Sequence, residues 1–263
     1  MIGVFDSGVG GLTVVKEILK KLPGFQIIYF GDTARLPYGT KGEDFVKKYS
    51  EKITRWLLDG GAKVIVIACH TSSAWAASFL KEKFNNIPIF EMIEPAARDA
   101  FLQSKNKRIG VIGTPGTIKS RAWSKKLLEI DPKLKVFQKA CPLFVPLAEE
   151  GWQDKKVAFE IAKDYLSDLK KRNIDVLVLA CTHYPILEKS IRTALGKGVK
   201  IVNPAESLAA ELKVFFEKNL EIAFKSQNQK DHKFFFSDQS YNLEKISKST
   251  LKLKIIPEIK DPF

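Results

Sequence analysis

Two cysteines stand where chemistry could be done. Ala68-Cys69-His70-Thr71 follows the apolar run Val64-Ile65-Val66-Ile67, and Ala180-Cys181-Thr182-His183 follows Val176-Leu177-Val178-Leu179. At each thiol a buried strand should end and a helix begin. A helix start offers free N–H groups and the positive end of a dipole, so both thiols are expected below the ordinary value of about 8.5. One strand-end cysteine alone reads as a small buried hydrophobe. Two in matching places read as a pair that acts on opposite faces of one small substrate. Cys141, in Ala140-Cys141-Pro142-Leu143-Phe144, has no counterpart and reads as structural.

Other candidates follow the remaining strands, because ligands of parallel α/β sheets gather beyond the carboxyl ends. Asp6 and Ser7 follow the first strand, Asp32 to Gly39 the second, and Thr114 to Thr117 a later one. His183 lies two residues from Cys181, and Asp6 can approach Cys69 from a neighbouring strand. An imidazole and a carboxylate so placed relay protons to and from thiols. The hydroxyls of Ser7, Tyr38, Thr71, Thr114, Thr117 and Thr182, with helix N-termini, suit the carboxylates of an amino acid. Gly8-Val9-Gly10-Gly11 lacks the last glycine of a dinucleotide loop and reads as a tight strand-to-helix turn. With no metal-ligand cluster, lysine-centred cofactor motif or P-loop, neither a cofactor nor a metal is expected.

Strand-like runs at 2–5, 26–31, 64–68, 87–90, 108–112, 135–138, 176–180 and 200–202 must position these residues. They alternate with helical patterns, which gives an α/β protein with mostly parallel sheets. Leu12, Val15, Ile18, Leu19 and Leu22 recur at helical spacing. Asn203-Pro204-Ala205-Glu206 reads as a capped helix start, with the helix running to about Phe216. Ile2 to Gly8 resembles Ile109 to Pro115, at nearly the offset that separates the two cysteine strands. This suggests duplication into two similar, pseudo-symmetric domains facing each other. After Phe224 the pattern weakens; 233–237 reads as a strand and 251–256 as a further candidate.

The 263 residues are 45% hydrophobic and 28% charged, as in soluble globular proteins. No signal peptide and no membrane-spanning run is apparent, so no membrane partner is expected. Three cysteines argue against a disulfide framework and for the reducing cytoplasm. A net charge of +13 raises the question of nucleic acid. Only 7 of the 43 basic residues are arginine, and the lysines are scattered as pairs such as Lys20-Lys21, Lys47-Lys48 and Lys170-Lys171. That is the pattern of a solvated surface, and no nucleic-acid partner is expected.

As a set, Phe5-Asp6-Ser7-Gly8-Val9-Gly10-Gly11, Asp32-Thr33-Ala34-Arg35-Leu36-Pro37-Tyr38-Gly39, the Cys69 segment, Cys141-Pro142-Leu143-Phe144-Val145-Pro146-Leu147 and Cys181-Thr182-His183-Tyr184-Pro185 resemble the bacterial glutamate racemases, in the same order and over nearly the whole chain. The resemblance implies cofactor-independent interconversion of L- and D-glutamate, which supplies D-glutamate for peptidoglycan. It implies that Cys69 acts on D-glutamate and Cys181 on L-glutamate, with Asp6, His183 and Glu149 assisting. It implies that Asp6, Ser7, Tyr38, Gly39, His70, Thr71, Thr182 and His183 contact substrate. The implied architecture is a homodimer of two-domain chains, with the site in the interdomain cleft. The first domain comprises 1–94 and 208–263, the second 95–207. One departure stands out: the family usually has asparagine where this chain has His70. Imidazole offers one donor and one acceptor in a larger, titratable ring. The rival readings are aspartate racemase, whose members tend to carry glutamate where this chain has His183, a basic binding protein, and an inactive relative.

Overall fold

A computed structural model of the chain describes residues 1–226, 231–239, 243–251 and 255–263. Its strands are β1 (Ile2–Asp6), β2 (Ile27–Gly31), β3 (Val64–Ile67), β4 (Ile89–Glu91), β5 (Arg108–Gly113), β6 (Lys135–Ala140), β7 (Val176–Ala180), β8 (Lys200–Val202), β9 (Lys233–Phe236) and β10 (Pro257–Ile259). All eight strands expected up to residue 202 are present, as is the one near 233. The 251–256 candidate is not a strand where it is described. Leu251 ends a helix, 252–254 lie outside the described residues, and the last strand begins at Pro257.

The strands form two sheets, ordered β10-β9-β2-β1-β3-β4 and β6-β5-β7-β8, and every pairing is parallel. The block β2-β1-β3-β4 has the same order as β6-β5-β7-β8, so the repeat seen in the sequence is also a repeat of topology. β1, β2, β3 and β7 are buried along their whole length, which explains their unbroken apolar runs. Period-two alternation then divides the core. Ile2, Val4, Tyr29, Val64 and Val66 pack with Leu12, Val15, Leu208 and Leu212 on one face of the first sheet. Phe5, Phe30, Ile65 and Ile67 meet Val46, Ile53, Leu57 and Leu80 on the other. In the second sheet Leu177 and Leu179 face Ala162, Leu166 and Ile191, while Val176 and Val178 face Ala96, Trp123 and Leu127. Each Val, Leu, Ile and Phe side chain among them contributes about 1.5–3 kcal/mol on burial. The cores thus fix the strand ends that carry the chemistry.

Two helices carry the chain between the halves and lie against each other. Helix Ile93–Gln103 begins where the Glu91 carboxylate accepts from the N–H groups of Ile93 (2.6 Å) and Glu94 (2.8 Å). Helix Pro204–Lys218 has Asn203 as its cap, accepting from Ala205 N at 3.2 Å, as its sequence predicts. Ser207 Oγ donates to Asp99 Oδ2 at 2.8 Å between them.

Candidate active site

β1 and β3 end side by side, as do β5 and β7, at the points where strand order reverses. Such switch points open a crevice beyond the carboxyl ends. The two crevices meet in one cavity, into which both Cys69 and Cys181 project. Each cysteine is nearly buried, 5% and 6% exposed. Ser7, Tyr38, Gly39, His70, Thr71, Thr114, Glu149, Thr182 and His183 also line it. Asp6 and Thr117 lie behind the lining at 1% and 0% exposure. They meet the cavity only through their neighbours.

The surroundings of the two thiols differ. Cys69 is the N-cap of helix His70–Lys83, its sulfur accepting from Ser72 N at 3.5 Å. Its thiol donates to Ser7 Oγ at 3.8 Å. Burial, then the negative charge of Asp6, raise this thiol to about 11. The expectation of a lowered value fails here: the helix start acts in the predicted sense, but desolvation and a like charge outweigh it. Cys181 departs from expectation in another way. A turn through Thr182 and His183 and a short 3-10 segment, Tyr184–Leu187, separate it from helix Glu188–Leu195, so it caps no helix. Its partner is His183, whose Nδ1 lies 3.9 Å from the sulfur. His183 Nε2 lies 3.1 Å from Glu149 Oε1. Burial opposes charge on the imidazole, but the hydrogen bonds and negative charges of Cys181 and Glu149 prevail and raise it to about 10. At neutral pH the ring is therefore an imidazolium that donates from both nitrogens.

Asp6 ties the halves together. One oxygen accepts from Gly8 N at 3.0 Å and the other from Thr182 Oγ1 at 3.4 Å. Burial raises its pKa, against the opposing pull of His183 and these donors. Thr13 Oγ1 donates to the Thr182 carbonyl at 2.9 Å, a second tie across the cleft. Gly10 is glycine because the second half comes so close: a Cβ there would stand 2.5 Å from His183 Cε1 and 2.7 Å from Nδ1. The glycine cluster is thus a packing turn, as its sequence suggests. Thr71, Thr114 and Thr117 join their hydroxyls in a ring of 3.0, 3.1 and 3.0 Å contacts across the two halves. Gly39 abuts the same ring, since a Cβ on it would lie 2.6 Å from Thr114 Cβ.

Two of the expected contacts are qualified. Tyr38 lines the cavity, but its hydroxyl donates to Asp32 at 2.6 Å and so serves its own loop. His70 is 3% exposed and stacks on Trp123 at 5.9 Å, with Nδ1 unpartnered among the described residues. Burial lowers its pKa to about 3, so the ring is neutral. Leu36 and Pro37, within the expected 32–39 segment, also line the cavity, whereas Gly8 and Val145 were not singled out by the sequence as lining residues. Val145 was accessible in principle: it precedes Glu149 by four residues on one short helix, Phe144–Glu149, and so shares its face.

A family model for the Asp/Glu/Hydantoin racemases matches residues 2–212. The chain belongs to the Asp/Glu/Hydantoin racemase family. It is 48% identical over 237 residues to the glutamate racemase of Geobacter metallireducens, covering 90% of this chain and 87% of that one. The crystal structure of the RacE1 glutamate racemase isoform of Bacillus anthracis superposes with a TM-score of 0.93 at 37% identity, covering 100% and 97% of the two chains. That of the Francisella tularensis glutamate racemase in complex with D-glutamate gives 0.89 at 35%, covering 98% and 96%. The two-sheet α/β architecture is that of these racemases. Among the described residues no helix is long and apolar enough to cross a membrane.

Proposed function

We propose that the chain racemises glutamate by a cofactor-independent, two-thiol mechanism. The observation that carries the reading is that Cys69 and Cys181, from equivalent strand ends of two like-ordered sheets, line one cavity. In the L-to-D direction the Cys181 thiolate, beside the His183 imidazolium, takes the α-proton of L-glutamate and becomes a thiol. The carbanion then takes the proton of Cys69 from the opposite face, which leaves Cys69 as thiolate and releases D-glutamate. The high value of Cys69 suits the donor role, because the thiol is protonated at neutral pH. Glu149 holds His183 charged and oriented. Asp6 positions Thr182 and acts electrostatically on Cys69. Ser7, Gly39, Thr71, Thr114 and Thr182 are the polar groups nearest the substrate, with His70 beside them and Thr117 holding Thr114.

The resemblance supports a cytoplasmic homodimer that feeds D-glutamate to peptidoglycan synthesis, with no nucleic-acid partner. The domains we propose are 1–94 with 208–263, and 95–207. The boundaries fall within the two paired helices, and the addition of β9 and β10 to the first sheet supports the return of the tail. The deciding experiment is exchange of the α-proton of each glutamate enantiomer in D₂O, for the wild type, Cys69→Ser and Cys181→Ser. Exchange by the wild type, with each variant losing racemisation, is the expected outcome. No exchange with either enantiomer would overturn the reading.

A further inference from the structure

The loop from Asp32 to Gly39 forms one wall of the cavity, yet what holds it comes from the far end of the chain. Asp32 is fully buried. It accepts from Tyr38 Oη at 2.6 Å, Arg35 Nη1 at 2.7 Å and Ser237 Oγ at 2.8 Å. Arg35 is shared: its Nη2 reaches Asp261 Oδ2 at 2.7 Å and Oδ1 at 2.9 Å, and the Phe263 carbonyl at 3.1 Å. The guanidinium carbon also lies 4.6 Å from the centre of the Tyr49 ring and 5.7 Å from that of Phe263. Phe263 in turn packs on Phe30 of β2 at 5.6 Å. A planar fork engaged at both ends fixes direction as well as distance.

We infer that Asp261 and Phe263 are positioning residues for catalysis. They orient Arg35, which with Asp32 sets the Tyr38-Gly39 wall against Thr114. None of the four touches the cavity, so their effect passes through the loop. The carboxylate of Asp261 is 37% exposed, and an ion pair there contributes little to global stability. Its consequence is local order. This inference rests on the reading that Tyr38 and Gly39 border the substrate.

The test uses the full chain with Asp261→Ala, Phe263→Ala and Asp261→Glu. Asp261→Ala and Phe263→Ala should raise KM for both glutamate enantiomers by about fivefold or more, with kcat within about twofold. Asp261→Glu, which keeps the carboxylate, should recover most of the loss. Amide hydrogen exchange over residues 33–39, read by mass spectrometry, should quicken in the first two variants and not in the third. Unchanged KM together with unchanged exchange overturns the inference. So does a loss of kcat that follows a fall in Tm and is not recovered by glutamate. Should the wild type fail to act on glutamate, the racemase reading falls, while the exchange measurement still decides whether the tail holds the loop.

Discussion

Glu149→Gln keeps the size of the side chain and removes one charge. Glu149 Oε1 lies 3.1 Å from His183 Nε2, with side-chain exposures of 25% and 7%. An opposite charge at such a distance moves a pKa by about 1–3 units. The partial exposure of Glu149 and the remaining influence of Cys181 place the change at the lower end, about 1–2 units. The imidazole should therefore fall from about 10 to a value still above its unfolded one. One to two units correspond to about 1.4–2.7 kcal/mol. Because the folded value is raised, this stabilisation is fully present below about pH 6.5 and vanishes as pH rises through about 10. The variant should lose part of it at neutral pH. The assay is an NMR titration of the imidazole Cε1–H signals. The chain has 3 histidines, and burial lowers both His70 and His232, so the one ring titrating above the ordinary range should identify itself as His183. In parallel, the alkaline limb of kcat/KM for L-glutamate should move down by the same 1–2 units. A His183 titration within about 0.3 unit of wild type would refute the assignment of its charge to Glu149.

Asp6→Asn removes the like charge that helps raise Cys69, so the midpoint of Cys69 alkylation, read in a Cys141→Ser/Cys181→Ser background, should fall below about 11; no change or a rise would contradict the electrostatics. Gly10→Ala forces a methyl against His183, and we expect racemisation to fall more than about tenfold with a destabilisation of about 1–3 kcal/mol by denaturant unfolding. Wild-type turnover would show that the halves do not meet as closely as described. His70 is neutral above about pH 3, so His70→Asn should leave the acid limb of the kcat/KM profile between pH 5 and 7 unmoved, whatever it does to KM. A displaced limb would mean that His70 titrates in the working range.

The strands were legible because buried parallel strands are written as short apolar runs, and Val64–Ile67 and Val176–Ala180 are plain examples. The last strand was not: β10 is an exposed edge strand, Pro257–Ile259, without the apolar signal that burial imposes. Within the site, the two cysteines and His183 could be read from spacing, since each sits at or just beyond a strand end. The high value of Cys69 could not, because it depends on Asp6 and on depth of burial, which spacing does not encode. The same limit hid the hydroxyl of Tyr38, whose partner Asp32 is a matter of loop geometry.

The unequal surroundings of the two thiols have a thermodynamic consequence. L- and D-glutamate have equal free energies in water, so the overall equilibrium constant is unity and no protein can bias it. A helix cap and Asp6 on one side, and an imidazolium with Glu149 on the other, can only redistribute binding and barrier heights between directions. The Haldane relation then requires kcat/KM to be identical for the two enantiomers in the wild type and in every variant, Glu149→Gln included. The asymmetry must appear instead as matched differences in kcat and KM. The enantiomer with the higher kcat must also have the proportionally higher KM.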